Sequence, residues 1–160
     1  MEDITNAAGT AKGNFYRYFA SVDELLVAVR DHLLDQYIAA LVARREANPD
    51  AGWWQVIDDE AHRFLDYHVG LGPLHDVLFH SPAADAHPPS RERSAGLLLG
   101  ELIAAGAADG SFRADDPETL GELLFHTLHG AADTIRSGAD RDRVETSLLQ
   151  ILRSALGVAQ

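Results

Sequence analysis

The 160-residue chain has no cysteine, so neither a disulfide framework nor a thiolate metal site can hold it together. That absence suits a reducing compartment, and the cytoplasm is the expected location. No stretch approaches the roughly 20 uncharged apolar residues of a membrane span. Nor does a basic segment followed by an apolar run open the chain, so a membrane is not an expected partner. Positive charge is scarce as well. Lys12 is the only lysine and the formal net charge is −12, which excludes a nucleic-acid footprint spread over the whole surface. Any DNA contact must be local. Enzyme signatures are missing too: there is no G-x-S-x-G elbow, H-E-x-x-H pair, Walker loop or dinucleotide glycine pattern. Neither enzymatic activity nor a cofactor is expected. No strand-length alternation, internal repeat or low-complexity segment occurs, which leaves an all-α fold.

What the sequence does contain starts near Asn6. Ile4, Ala7 and Ala8 are the apolar remnant of one helix, Gly9 supplies a positive-φ turn, and Phe15 and Phe19 recur at i, i+4 on the next helix. This is the pattern of a helix-turn-helix. Around the two core-facing rings, Lys12, Asn14, Tyr16, Arg17 and Tyr18 carry groups suited to phosphates and base edges. Glu2 and Asp3 offset the local positive charge, so electrostatic attraction in this stretch is weak.

The remainder reads as a succession of helices. Ser21-Val22-Asp23-Glu24 is a capping box that opens a long helix, whose stripe of Leu26, Val29, Leu33, Tyr37 and Ala40 runs to Asn48-Pro49. Trp53, Ile57, Ala61, Phe64 and His68 define the next helix, ending near Gly70-Leu71-Gly72-Pro73, with a short helix following over 74–80. The segment from Ser81-Pro82 to Pro88-Pro89 predicts a surface loop. A helix from Ser90 carries Leu97, Leu98, Leu102 and Ile103 and closes around Asp109-Gly110. Asp116 and Pro117 then start a helix that Gly138 ends, and a final helix carries Val144, Leu148, Leu149, Ile151, Leu152, Ala155 and Leu156. This last stripe is too wide for one packed side. It predicts a second partner, a symmetry-related copy, with Leu120, Leu124, Leu128, Ile135, Leu148 and Leu152 at the interface; a buried C-terminal helix in a monomer is the alternative.

The segment Ala8-Gly9-Thr10-Ala11-Lys12-Gly13-Asn14-Phe15-Tyr16-Arg17-Tyr18-Phe19, followed by Ser21-Val22-Asp23-Glu24-Leu25, resembles the TetR family of bacterial transcriptional regulators. The family pattern there is close to Ala-Gly-Val-Ser-Lys-Gly-Thr-Leu-Tyr-Xaa-His-Phe and then Ser-Lys-Glu-Glu-Leu. The resemblance implies a TetR-like helical regulatory domain over 21–160, for ligand binding and dimerisation, behind a partial helix-turn-helix head over 1–20. It implies a homodimer, acting as a repressor, that binds palindromic operator DNA and is released by a small-molecule effector. Carried over by position, Lys12, Gly13, Asn14, Tyr16, Arg17 and Tyr18 are the DNA-contacting residues. Three positions depart from the pattern: Ala11 stands for a capping Ser or Thr, Val22 for a backbone-contacting lysine, and Thr10 for a buried Val. The family's first helix and most of its second lie upstream of this Met1. Phe15 and Phe19 are therefore expected to lack packing partners, leaving the head frayed. The alternative reading is an N-terminally truncated ligand-binding or dimerisation module without DNA binding.

In the body, pockets need apolar walls and a few polar anchors. Phe64, Phe79 and Phe125 are the expected walls and His68, His75 and His129 the anchors, with Trp53 and Tyr67 nearby candidates. Glu122, His126, His129 and Asp133 share one helix face at a spacing that would suit a divalent ion. With no ligand from another helix in view, they read as hydrogen-bonding groups and no metal is expected. Asp58, His62 and Asp66 read as a solvated face.

Overall fold

A computed structural model describes residues 1–90 and 94–158. Among these residues there is no strand, and the helices are α1 (Glu2–Ala7), α2 (Lys12–Tyr18), α3 (Val22–Ala47), α4 (Trp53–Gly70), α5 (Pro73–Phe79), α6 (Pro82–Ala86), α7 (Ala95–Ala108), α8 (Pro117–Arg136) and α9 (Arg141–Leu156). Their ends follow local chemistry. Ser21 Oγ accepts from the Glu24 amide at 3.0 Å while the Glu24 carboxylate accepts from the Ala20 amide, completing the capping box. Asp116 accepts from the Thr119 amide at 3.1 Å, with Pro117 in the first turn of α8. At the far end of α9, Gly157 adopts φ 66°, and the Arg113 amide donates to Leu156 O at 2.9 Å.

The core lies between α4, α7, α8 and α9. Ile57, Phe64 and Leu65 of α4, Ile103 of α7, Leu124 and Leu128 of α8, and Leu148, Leu152 and Leu156 of α9 are buried in one cluster. Glycine allows α7 and α8 to cross closely: a Cβ on Gly121 would stand 2.4 Å from Gly100 N and 2.6 Å from Gly96 O. Phe112, just past α7, is buried over Gly106, where a Cβ would meet its ring at 2.4 Å. Helix α3 runs for 26 residues and takes α5 and α6 against its side. The buried Arg30 guanidinium secures that packing, with Nη2 2.8 Å from Asp31 Oδ1 and Nη1 donating to Ala84 O of α6 at 3.5 Å.

Three expectations change. The proline-rich segment contains α6, because Ser81 Oγ accepts from the Ala84 amide at 3.2 Å and Pro82 occupies the first turn. A proline there starts a helix instead of excluding one. The helix expected from Ser90 begins at Ala95, capped by Ser94, and positions 91–93 of that expectation lie outside the described residues. Finally, Leu124, Leu128 and Leu152, expected at an interface, are buried in the chain's own core, and so is Leu148, which also lines a groove between α8 and α9. Leu120 and Ile135 pack partly against that core. The wide stripe of α9 is absorbed mostly by α4 and α8, leaving Ile151 outward, as Leu123 is on α8.

Candidate functional site

Two regions combine exposure, polarity and shape in ways that bear on function. The first is the N-terminal pair of helices. Thr5 is buried and its hydroxyl donates to Glu2 O at 3.0 Å, Gly9 turns the chain at φ 60°, and the Thr10 amide returns to Thr5 O at 2.9 Å. Helix α2 follows with Ala11 at its N-cap, where no side chain accepts from the first turn. Phe15 is only 6 % exposed and packs beside the Phe19 ring at 5.6 Å, so it does not lack packing partners as expected from the sequence. The six expected contact residues point outward: Lys12, Gly13, Asn14, Tyr16, Arg17 and Tyr18 are all exposed. The Asn14 amide donates to Thr10 Oγ1 at 2.8 Å, which fixes its orientation. The result is a short ridge of one ammonium, one guanidinium, one amide and two phenols. Its chemistry matches phosphate oxygens and base edges.

The second region lies in the body, where α4, α5 and α8 meet. All six residues expected to form a pocket come together there. Phe64 stacks on His68 at 4.1 Å and meets Phe125 edge-on at 5.9 Å, while Phe79 lies 5.1 Å from both His68 and His75 and 5.8 Å from His129. His75 is fully buried, and its Nε2 is 3.0 Å from Nδ1 of the buried His68. Burial, with the neighbouring His129 and His75, lowers the His68 imidazole to about 2. Burial likewise lowers His129 to about 4, although the Asp133 carboxylate opposes it, and lowers His75 together with the nearby Arg136. These imidazoles are neutral at pH 7 and keep lone pairs to offer.

On the other side of Phe64 and Phe125 is a cavity of ≈ 50 Å³ closed by Leu99 and Leu102 of α7 and Tyr37 of α3. Glu60 at its edge is held by Arg44 through two 2.7 Å hydrogen bonds, and burial raises the Tyr37 hydroxyl, as does Glu60. Drug-sized ligands fill roughly 300 Å³ or more, so such a ligand must spread these walls to enter. The Tyr67 hydroxyl is buried without a hydrogen-bond partner, and its ring lies 5.4 Å from that of Tyr37.

Other sequence candidates are separated from this region. Trp53 donates to Asp109 at 2.8 Å and lies under Arg45, away from the aromatic cluster. Glu122 accepts from Ser94 at 2.9 Å and His126 is exposed, so the one-helix ligand set does not assemble. Asp58 and Asp66 stay on the outer face of α4, the first near His62 and the second paired with Arg141. His80, by contrast, joins His129 and Asp133 from just beyond α5. Its position five residues after His75 matches no helical period, so no sequence signal marks it. Glu60 and Tyr37 were missed too, although both sit on helix faces whose apolar stripes point to the same core.

Comparison with known proteins agrees with the N-terminal pattern. Residues 1–29 match the family described as "Bacterial regulatory proteins, tetR family". An uncharacterized HTH-type transcriptional regulator, YvdT of Bacillus subtilis, is 34 % identical over 44 % of this chain and 37 % of its own length. The HTH-type transcriptional regulator CymR of Pseudomonas putida is 29 % identical over 96 % of this chain and 78 % of its own. The HTH-type transcriptional repressor LfrR of Mycolicibacterium smegmatis is 23 % identical over 98 % and 79 %.

Proposed function

The chain belongs to the TetR family of bacterial regulatory proteins, and we propose that it works as a homodimeric repressor whose two α2 helices read a palindromic operator until a small molecule releases them. The observation that carries this reading is the outward presentation of all six contact residues on α2 above a buried Phe15. Lys12 serves as a point charge on phosphate, Gly13 permits close approach, Asn14 reads a base edge, and the tyrosine hydroxyls and Arg17 hold the backbone. In a two-fold dimer these ridges would meet successive major grooves.

The surface offered to the second copy is the outer face of α8 and α9. Leu123, Thr127, Gly130 and Thr134 succeed one another along α8, and Ser147 and Ile151 face the same shallow groove or its rim from α9. Small residues at the centre allow two such faces to approach closely. The effector site is the aromatic cluster formed by Phe64, His68, His75, Phe79, Phe125 and His129, next to the apolar cavity. Coupling follows from the order of elements. Ligand entry displaces α4, α5 or α8, α5 and α6 lean on α3, and α3 continues directly from the DNA-reading helix. A shift of α3 therefore changes the distance between the two heads.

Lys12→Ala is expected to weaken binding to all duplex sequences alike and to reduce the slope of log affinity against log salt by about 1. Fluorescence anisotropy with a labelled operator at several salt concentrations measures this. An unchanged slope would remove Lys12 from the phosphate contacts.

A further inference from the structure

We propose that His75, His80, His129 and Asp133 form a binding site for one divalent transition-metal ion of the Zn²⁺ type. Each offers one donor atom, and the four lie within 4.8 Å of one another. His80 Nε2 is 3.3 Å from Asp133 Oδ1 and 3.4 Å from His129 Nε2, while His75 Nδ1 is 3.7 Å from the same carboxylate oxygen. A tetrahedral ion with bonds of about 2.05 Å spaces its donors by about 3.3 Å. Only small side-chain rotations separate the observed arrangement from that geometry.

A second observation is independent of these spacings. The His75 side chain is fully buried, and its Nδ1 has no hydrogen-bond partner while facing Asp133. In the tautomer that donates Nε2–H to His68, the Nδ1 lone pair faces this carboxylate and is poorly satisfied, and a cation between them serves both. The other nitrogen of His75 is held by His68 at 3.0 Å, the kind of outer hydrogen bond that fixes which ring nitrogen remains for a metal. Arg136 brings positive charge close by, but Asp76 pairs with it at 2.8 Å. Imidazoles and one carboxylate in a compact set favour Zn²⁺, Ni²⁺ or Cu²⁺ over Mg²⁺ and Ca²⁺, which prefer all-oxygen shells. The site joins α5 and its C-terminal junction to α8. It rests on these side chains and not on the reading of the chain as a DNA-binding repressor.

The test uses the full chain without an affinity tag. Co²⁺ titration followed by visible absorption is expected to give one ion per chain with a four-coordinate spectrum, displaced by Zn²⁺ and unaffected by Mg²⁺. His80 and Asp133 are at least partly exposed, so their replacement spares the core. His80→Ala and Asp133→Asn should each weaken Zn²⁺ binding at least about tenfold, the lower end of what even outer-shell changes cost, with far-UV circular dichroism unchanged. No Co²⁺ uptake, an octahedral spectrum, or equal Zn²⁺ affinity in the double variant would each overturn the proposal.

Discussion

Gly121→Ala is expected to destabilise the protein by about 2–3 kcal/mol and to lower its Tm by about 5–10 °C, and Gly121→Leu to prevent folding. The added Cβ would stand 2.4 Å from Gly100 N, 2.6 Å from Gly100 Cα and 2.6 Å from Gly96 O. All three atoms belong to the backbone of α7, so no rotamer change relieves the overlap; the two helices must part along their whole crossing. Neighbouring glycines supply graded controls. The three atoms nearest a Cβ on Gly96 all belong to the end of the Glu122 side chain, the first at 2.4 Å, and that carboxylate can swing away at the loss of its Ser94 hydrogen bond. Gly70, in the last turn of α4, has nothing within 4 Å. There alanine is expected to be neutral or to stabilise by up to about 1 kcal/mol through helix propensity. Thermal melts should therefore rank Gly121→Ala below Gly96→Ala, and Gly96→Ala below Gly70→Ala. Equal melting of all three would mean that α7 and α8 do not cross this closely.

That crossing was not legible in the sequence, and the reason is physical. A glycine inside a helical stripe reads locally as a weak helix former, and only the second helix, placed opposite, turns it into a requirement. Features that depend on a few adjacent residues were readable: the Ser21–Glu24 capping box, Pro117 opening α8, and the Phe15 and Phe19 spacing beneath the polar side of α2. Ser81-Pro82 was ambiguous because the same pair fits a loop or a helix start. The clustering of Phe64, His68, His75, Phe79, Phe125 and His129 was anticipated from residue type, yet His80 was not, since it belongs to no helical period. Glu122 and His126 illustrate the opposite error. Spacing put them on one face with His129, but Ser94 of α7 claims one and solvent the other. Periodicity identifies an apolar stripe without saying which neighbour covers it, and for that reason Leu124, Leu128, Leu148 and Leu152 were assigned to a second copy when the chain buries them itself.

Leu123→Glu combined with Ile151→Glu is expected to convert the proposed dimer to a monomer and to weaken operator binding by about 10²–10⁴-fold. The two side chains are 59 % and 48 % exposed in the single chain, so their replacement removes no core contact and the monomer should keep its helical content. In the proposed dimer they flank the small-residue groove of α8 and α9, where two copies of each glutamate would lose water at an apolar contact that Arg143, on the groove wall, compensates only in part. The loss on DNA comes from geometry. In the proposed complex each head would make few contacts, with Lys12 and Arg17 as its cations, and an acidic body adds none of the long-range attraction that could hold a lone head in place. Two linked heads make the second engagement intramolecular, and that advantage vanishes with the dimer. Leu128→Glu separates this explanation from plain unfolding, because Leu128 lies within the chain's own core and its replacement should abolish the cooperative melt. Sedimentation velocity reads the mass and anisotropy reads the DNA affinity. A double variant that sediments as a dimer would move the interface off this face, and a monomer that binds the operator with undiminished affinity would mean that one head suffices.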